Sequence, residues 1–517
     1  MNKRPRVRGT RLSAIPHRLW RFLPPLAVGG LALLLYVATA APWITWANDG
    51  ADGGDLIAAA MTGGVPHPSG YPTYCLLARL FALLPLGPIA RRFNLFSATM
   101  AAASVVLVYY CALWILKRPS RQVAGLETGI ALSTALAWAC GRTLWSQAII
   151  TEVYALQAFF TAGCLYLALR QDLLVRTRHW AALGLAIGLG LGVHLTLLLM
   201  LPGIAVLLWP YRTRRRLAAI CLGIACGLAV YLYLPLAARG DPPINWGDPR
   251  TWAGFWWVIS GKLYQGYLFS LPLRYLPSRV GAWLQLVAQQ YTWFGVALGI
   301  IGLSALAEGK RKAWALATGL IFLAYTLHAL TYDTTDSYVY LIPTFLIGAL
   351  WMAEGAYTIL TGFQNGKAMN AMLALGTILL LAIPLWSVAH HYKEIDLSHD
   401  DATRCWVDAV LCDLPEDAVL ITGEDRHTFT LDYVLWVEPP PRDLLVVDGE
   451  LLQYPWYVRH MARLYPSLRL DDDASSLPGF VSANLSGNIY LADERPDLQG
   501  FFRIERRGVL WQITGRK

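Results

Sequence analysis

The feature that most constrains the fold of this chain is a series of apolar segments, each long enough to cross a lipid bilayer. A helix needs about 20 apolar residues to cross, and such segments recur between residues 24 and 389. Only 15% of the 517 residues are charged and 56% are hydrophobic, whereas soluble domains are about one-quarter charged. The sequence therefore predicts a polytopic α-helical membrane protein.

We predict about eleven crossings, of which the first covers about 24–46. The other predicted crossings are 93–116, 124–140, 155–170, 180–193, 195–209, 217–236, 282–305, 313–330, 338–360 and 369–389. Residues 72–90 are also apolar but contain Arg79 and two prolines. We interpret them as either a further span or a partly embedded helix, and we count them as non-spanning.

The basic residues indicate the orientation of the predicted spans. The formal net charge is +9, but the basic residues collect in short clusters between apolar segments, as the positive-inside rule requires. These clusters are the N-terminus 1–23, 117–121, 170–178, 212–216, 310–312 and Lys367. This pattern predicts an integral protein of a bacterial cytoplasmic membrane with a cytoplasmic N-terminus, and it argues against a nucleic-acid partner.

The opposite, extracytoplasmic side receives the longer loops, 47–92, 141–154 and 237–281, and the C-terminal residues 391–517. In this last segment, apolar strand patterns such as 418–422 alternate with helical patterns such as 428–437 and 456–464. Alternation of this kind predicts a small soluble α/β domain. The predicted organisation is therefore a basic N-terminus, a transmembrane domain 24–390 and a C-terminal extracytoplasmic domain.

The first of these loops carries the strongest candidate for chemistry. Asp49, Asp52 and Asp55 lie within seven residues of one another after the first apolar segment, and His67 and Tyr71 follow. A carboxylate near an apolar boundary can act as a general base, so we predict Asp52 and Asp55 as catalytic candidates. A solvated acidic turn with a helix cap is the alternative. The loop lacks the EF-hand spacing for calcium, and a divalent metal is allowed but not required.

Two shorter segments add candidate substrate-binding residues. Arg142, Glu152 and Tyr154 lie between two predicted spans, and His194 lies at a turn between two others. Ionisable groups at the membrane boundary are costly unless they are paired or functional. Arg142 could therefore pair with Glu152, or it could hold a phosphate in a bidentate fork. His194 could equally be a hydrogen-bonded packing residue.

The loop 237–281 supplies further candidates of mixed character. They are Arg239, Asn245, Trp246, Asp248 and Lys262. Arg239 and Lys262 are candidates for phosphate binding, Asn245 and Asp248 for hydrogen bonds to sugar hydroxyls, and the aromatic residues for stacking on sugar rings. The aromatic residues could instead form an interfacial belt. A fourth loop adds Asp333 and Asp336, followed by Tyr338 and Tyr340.

Several of these motifs resemble the bacterial members of the family called domain of unknown function 2723, which is grouped with the protein O-mannosyltransferases. The motifs that carry the resemblance are Asp52-Gly-Gly-Asp55-Leu-Ile, His67-Pro-Ser-Gly-Tyr-Pro72, Trp145-Ser-Gln-Ala148, Glu152-Val-Tyr154, His194-Leu-Thr196, Asn245-Trp-Gly-Asp248-Pro, Val339-Tyr-Leu-Ile-Pro343 and Pro455-Trp-Tyr457. Each motif is short, but together they cover nearly the whole chain.

The resemblance implies a GT-C-type fold and an inverting glycosyltransferase that uses a lipid-linked sugar. It implies that an acidic residue of the first loop acts at the acceptor and that basic residues hold the lipid phosphate. Asp52 is similar to the first-loop aspartate of the family, whereas Asp55 stands where relatives usually carry glutamate. The sugar, with mannose as one candidate, and the acceptor, a protein hydroxyl or an envelope glycan, stay open.

Two other functions are compatible with the same sequence. A polytopic transporter or flippase is the main alternative, although transporters tend to place charges at mid-membrane and to show internal repeats, and neither feature is evident. In the other alternative, the C-terminal segment is a receptor or assembly domain on an inert membrane anchor. Glycosyl transfer from a polyprenyl-phosphate donor is the function that the sequence favours.

Overall fold

The computed structural model describes residues 22–118, 125–308, 311–362, 369–438, 444–470 and 476–517, with the side chains of 369–374 left aside. Most of the basic N-terminus, part of the 117–121 and 310–312 clusters and Lys367 lie outside the described residues. The predictions made for them stay predictions.

The described residues are mostly helical. The helices before the large third loop are α1 Leu23–Thr39, α2 Gly53–Thr62, α3 Pro72–Phe81, α4 Ile89–Leu116, α5 Leu126–Ala139, α6 Arg142–Ala148, α7 Tyr154–Leu169, α8 Thr177–Leu191, α9 Leu201–Leu208, α10 Arg214–Leu228 and α11 Tyr233–Ala238. Those that follow are α12 Trp252–Ile259, α13 Leu276–Ala307, α14 Lys312–Thr331, α15 Ile342–Gly362, α16 Met369–Ile395, α17 Ala402–Asp413, α18 Asp425–Trp436, α19 Pro455–Leu464 and α20 Leu477–Ala483.

Six helical stretches of the described residues are long and apolar enough to cross a membrane. They are Ile89–Leu116, Arg214–Ala238, Leu273–Ala307, Lys312–Thr331, Ser337–Gly362 and Leu375–Ile395. Three shorter apolar helices, Leu23–Thr39, Tyr154–Leu169 and Leu195–Tyr211, accompany them. The predicted helical membrane class agrees with this finding, whereas the predicted count of eleven crossings stays a prediction.

Small residues bring two of the apolar helices into close contact. A Cβ added to Gly188 of α8 would lie 2.8 Å from the Cα of Gly227 in α10, and one added to Gly227 would lie 2.7 Å from the Cα of Gly188. Gly184 and Gly223 repeat this arrangement one turn earlier, each facing a carbonyl of the other helix. Such small-residue stripes let helix backbones approach closely and pack well without a hydrophobic driving force.

A five-stranded mixed sheet lies in the C-terminal segment. Its strands are β1 Ala418–Thr422, β2 Leu445–Asp448, β3 Asn488–Leu491, β4 Phe502–Arg507 and β5 Leu510–Arg516, in the order β2-β1-β3-β5-β4. β1 pairs parallel with β2 and β3, and β5 pairs antiparallel with β3 and β4. The predicted strand 418–422 and the predicted helices are present, whereas independent folding of 391–517 stays a prediction.

The sheet segment packs directly against two loops of the membrane part. Ala58 of α2 and Trp246 of the third loop belong to the same buried apolar cluster as Val419, Phe429 and Val447. Burial of apolar surface is the main favourable term in such association. The first loop, the third loop and the C-terminal segment therefore form one packed unit.

A compact ionic cluster lies at the other end of the long helices. The carboxylate of Glu354 in α15, itself buried, accepts hydrogen bonds from Arg118 at 2.7 and 2.9 Å and from Arg311 at 3.1 Å. Arg311 directly precedes α14, and a 20-residue helix such as α14 is about 30 Å long. This basic end is thus separated from the end where the loops meet.

Candidate active site

One large cavity opens where the loops converge, with a volume of about 790 Å³. Its polar and aromatic lining includes Asp49, Asp52, His67, Tyr71, Tyr154, His194, Tyr264, His328, Asp336, Tyr340, Asp425 and Arg426. Leu195, Leu198, Leu199, Leu268 and Phe269 line another part of it. Leu198, Leu268 and Phe269 are exposed at the surface of the protein, so the cavity joins a polar region to an apolar rim.

The two catalytic candidates of the first loop, Asp52 and Asp55, have different surroundings. Asp55, in the first turn of α2, is fully buried, and it accepts hydrogen bonds from the His67 backbone N–H at 2.9 Å and from Trp246 Nε1 at 3.1 Å. His67 Nδ1 lies 2.6 Å from the same carboxylate. Asp52 lines the cavity, is 35% exposed, and lies 3.3 Å from His67 Nε2.

The His67 ring therefore bridges a buried carboxylate and an accessible one. Burial opposes a positive charge on this ring, but Asp52 and Asp55 on its two sides hold the pKa of His67 well above its ordinary value. A protonated imidazole donates from both nitrogens, which matches a carboxylate at each of them. Phe429 of α18 stacks on the ring at 5.6 Å between centroids and fixes its plane.

A group of rings around His194 lines another part of the cavity. His194 lies 5.8 Å from Tyr154, 5.6 Å from Tyr340 and 6.3 Å from Tyr71, measured between ring centroids. Its Nδ1 is 2.8 Å from the Thr196 hydroxyl, and burial lowers the pKa of His194 to about 3. The ring is therefore neutral, and it offers a polar edge within an aromatic surface of the kind that stacks on sugars.

Glu152 lies behind this cavity and is not among its lining residues. Its side chain is 2% exposed, and one oxygen accepts a hydrogen bond from the Val153 N–H at 3.3 Å. The other oxygen has no partner among the described residues. Burial raises the pKa of Glu152 well above its usual range. It does not pair with Arg142.

The basic residues chosen from the sequence for phosphate binding do not line the cavity. Arg142 forms an ion pair with Glu394 at the end of α16, at 2.5 Å. Arg239 and Lys262 are exposed outside the cavity lining. Arginines that satisfy structural ion pairs cannot be distinguished by sequence pattern from those that bind a ligand.

The predicted polar residues of the third loop also serve the structure around the cavity. Trp246 donates to Asp55, as described above. Asn245 is buried, forms an isolated parallel bridge with Val65, and leaves its side-chain oxygen without a partner among the described residues. Asp248 accepts from Arg250 at 2.6 Å. In the fourth loop, Asp336 reaches the cavity as expected.

The sequence interpretation missed several lining residues, among them the ionisable His328, Asp425 and Arg426. His328 lies near the end of α14, 5.0 Å from the Tyr340 ring. Asp425 and Arg426 begin α18, directly after the strand β1. Residues at the carboxyl ends of parallel strands often form ligand sites, and that rule is a sequence signal for Asp425 and Arg426 but not for His328.

A possible metal-binding group lies beside the cavity. In the part of the chain that the structure describes, Glu424, His427 and Asp493 place ligand atoms within 4.8 Å of one another. His427 Nδ1 already lies 2.6 Å from Asp493 Oδ1, and the other oxygen of Asp493 accepts from the Gly423 N–H at 2.7 Å. Because these hydrogen bonds engage the donor atoms, we assign no metal to the group.

Comparison with known proteins places this site in a wider context. Residues 52–217 match the family model described as the N-terminal domain of protein O-mannosyl-transferase TMEM260. The chain is 25% identical over 465 residues to protein O-mannosyl-transferase TMEM260 of Mus musculus, an alignment that covers 82% of this chain and 63% of the relative. The chain thus spans less than two thirds of the mouse protein. It is 21% identical over 587 residues to protein O-mannosyl-transferase tmem260 of Dictyostelium discoideum, covering 98% of this chain and 69% of that one.

The fold is similar to that of ArnT from Cupriavidus metallidurans, crystallised with undecaprenyl phosphate. The TM-score is 0.54 at 13% identity, and the superposition covers 96% of this chain and 98% of ArnT. At this identity the likeness concerns the fold alone, and it agrees with the predicted α-helical membrane fold; the GT-C-type assignment stays a prediction. The predicted relation to protein O-mannosyltransferases is supported by the matches above, whereas the narrower assignment to domain of unknown function 2723 stays a prediction.

Proposed function

We propose that this chain is a membrane glycosyltransferase that moves a sugar from a polyprenyl-phosphate donor to an acceptor hydroxyl. The observation that carries the proposal is that the carboxylate of Asp52 and a surface-exposed apolar rim line the same cavity. The similarity to proteins named O-mannosyl-transferases supports sugar transfer and favours mannose. A protein hydroxyl or an envelope glycan is the proposed acceptor, and the reaction takes place on the extracytoplasmic side of a bacterial cytoplasmic membrane.

Asp52 is the proposed general base. Asp49 and Asp52 are the first-loop carboxylates that line the cavity, and Asp52 is the one that lies against His67, at 3.3 Å from Nε2, while it keeps part of its surface accessible. Asp52 takes the proton from the acceptor hydroxyl while the acceptor oxygen forms a bond to the anomeric carbon. The bond from that carbon to the phosphate oxygen breaks, the electron pair leaves with the polyprenyl phosphate, and the configuration at carbon inverts. A positioned base of this kind typically contributes 10²–10⁴-fold to the rate.

Asp55 and His67 are proposed as positioning residues. The carboxylate of Asp55 already receives three donors and has no surface on which to meet a substrate. It holds His67 in place, and His67 in turn orients Asp52 through Nε2. Trp246 belongs to the same arrangement through its bond to Asp55.

The remaining lining residues suggest where each part of the donor lies. Leu198, Leu268 and Phe269 would contact the prenyl chain at the rim, since these apolar side chains are exposed there. Tyr71, Tyr154 and the neutral His194 would face the sugar ring. The buried Glu152 supports this surface from behind rather than touching the substrate.

The experiment is transfer of labelled mannose from a polyprenyl-phosphate donor by the purified protein in nanodiscs. Asp52→Asn should lower kcat at least 100-fold without changing the melting temperature. Asp55→Asn should lower the melting temperature as well, because it disturbs a fully buried hydrogen-bonded carboxylate. Full activity in both variants would refute the carboxylate mechanism. Substrate counterflow in proteoliposomes without bond formation would instead support the transporter alternative.

A further inference from the structure

The C-terminal segment contributes directly to the cavity. Asp425 and Arg426 at the start of α18 line it, although they lie more than 370 residues after Asp52 in the sequence. The helix is held close to the first loop, because a Cβ on Gly54 of α2 would lie 1.9 Å from the carbonyl oxygen of Phe429. The position of Arg426 is therefore coupled to that of the first loop.

The charge of the cavity makes this arginine distinctive. Four lining carboxyl groups belong to Asp49, Asp52, Asp336 and Asp425. Among the described lining residues, Arg426 is the one arginine, and none is a lysine. A phosphate that enters an acidic cavity needs a compensating cation, and guanidinium binds phosphate through paired N–H groups.

The surroundings of Arg426 leave part of its guanidinium group available. Its Nε lies 2.6 Å from the Glu424 carboxylate, and its Cζ lies 5.3 Å from the centroid of the Trp46 ring. Trp46 is fixed by its own Nε1–H, which lies 2.9 Å from the Thr430 hydroxyl. Neither terminal nitrogen of Arg426 donates a hydrogen bond within the described parts of the chain, and the side chain is 46% exposed.

We propose that Arg426 binds the phosphate of the lipid-linked donor, so that the C-terminal segment supplies the phosphate subsite of the cavity. This inference rests on the proposed function, since it assumes a polyprenyl-phosphate ligand. Trp46 holds the guanidinium plane, and Glu424 occupies one edge of it. Glu424 then competes with the phosphate, and its removal should strengthen phosphate binding.

The test measures binding rather than transfer. Dissociation constants for undecaprenyl phosphate and for undecaprenol, the same lipid without phosphate, are determined in nanodiscs. The dissociation constant for undecaprenol divided by that for undecaprenyl phosphate gives the phosphate preference ratio. Arg426→Gln should reduce this ratio about tenfold or more, as expected for loss of a charged hydrogen-bond partner. Glu424→Gln should increase the ratio. Arg426→Lys, which keeps the charge but loses the fork, should give an intermediate ratio.

Arg404→Gln is the matched control. Arg404 also belongs to the C-terminal segment and lies over a tryptophan that precedes the first loop, with Cζ 5.8 Å from the Trp43 ring centroid, but it does not line the cavity. Its ratio should equal that of the wild type. A wild-type ratio in Arg426→Gln, or a reduced ratio in Glu424→Gln, would overturn the assignment of Arg426.

The proposed function is tested separately, by the phosphate preference of the wild-type protein. If the wild type binds undecaprenyl phosphate no better than undecaprenol, a lipid-phosphate donor is wrong and Arg426 has no phosphate to bind. If the wild type prefers phosphate and Arg426→Gln keeps that preference, only the assignment of Arg426 is wrong. If Arg426→Gln lowers the melting temperature, the other two variants decide. A wild-type ratio in Arg426→Lys, or a reduced ratio in Glu424→Gln, then overturns the assignment of Arg426.

Discussion

Gly54 marks the closest approach of the first loop to the C-terminal segment, and its replacement tests the whole arrangement. A Cβ at this position would lie 1.9 Å from the Phe429 carbonyl oxygen, 2.4 Å from the carbonyl carbon and 3.0 Å from the Thr430 nitrogen. Ordinary contact begins near 3.4 Å. Because the obstacle is backbone, no side-chain rotation relieves it, and in Gly54→Ala the helix α18 must shift by about 1.5 Å to restore van der Waals distance.

That shift should reach the reacting groups. The Phe429 ring stacks on His67, and the residues that open α18 line the cavity. A displacement of about 1 Å in positioning elements can cost about 100-fold in rate, so we expect kcat of Gly54→Ala to fall roughly 100-fold. Helix propensity acts in the other direction, since alanine favours a helix over glycine by about 1 kcal/mol. Loss of activity therefore cannot come from a weakened α2.

The assay is mannosyl transfer in nanodiscs, combined with thermal unfolding of the same preparations. Gly319→Ala is the matched control, because Gly319 also lies inside a helix, α14, and a Cβ there would meet nothing within 4 Å. The control should keep wild-type activity. Wild-type kcat and melting temperature in Gly54→Ala would refute the close docking of α18 on the first loop.

The other predictions concern single hydrogen bonds and charges. Trp246→Phe removes the donor to Asp55 and should cost about 1–3 kcal/mol of stability, measured by chemical denaturation; unchanged stability would contradict the buried network. Arg142→Gln breaks an ion pair with Glu394 in which the two side chains are 29% and 54% exposed. It should therefore lower the free energy of unfolding by less than about 1 kcal/mol and leave KM for the donor unchanged. A tenfold rise in KM would instead support the phosphate-binding role that the sequence suggested. Burial raises the pKa of Asp448 to about 7, so the folded state binds this proton more tightly than the unfolded chain. Its contribution to stability is full below about pH 4 and should decline by about 1.4 kcal/mol per pH unit until it is lost above pH 7. Asp448→Asn should remove this decline when the melting temperature is measured against pH between about pH 4 and 7, and the same decline in both proteins would refute it.

Much of the site could be predicted because the residues flank helix ends. His67, Tyr71, Tyr154 and His194 all come from connections predicted on one side of the membrane, and such connections must share one end of a helical bundle. The structure brings all four to the cavity with Asp52. Charge patterning and segment length were sufficient to place these residues at one end of the helices, and no knowledge of tertiary contacts was needed.

The division between Asp52 and Asp55 could not be predicted, because it depends on which neighbours approach from distant parts of the chain. Asp55 is buried because Trp246 and His67 close over it. The ion-pair partner of Arg142 could not be predicted for the same reason, since Glu394 lies 252 residues away. Periodicity fixes the face on which a residue lies but not the partner that it meets there.

The contact between α18 and the first loop also bears on what the C-terminal segment does. Deleting residues 395–517 appears at first to test whether this segment is a separate assembly domain. Such a deletion would remove Arg426 from the cavity and uncover the face of His67 that Phe429 covers. It would also expose Trp246, which is buried in the shared apolar cluster. Loss of transfer after deletion would therefore follow from damage to the cavity, and only point variants such as Gly54→Ala and Arg426→Gln separate a role in catalysis from a role in assembly.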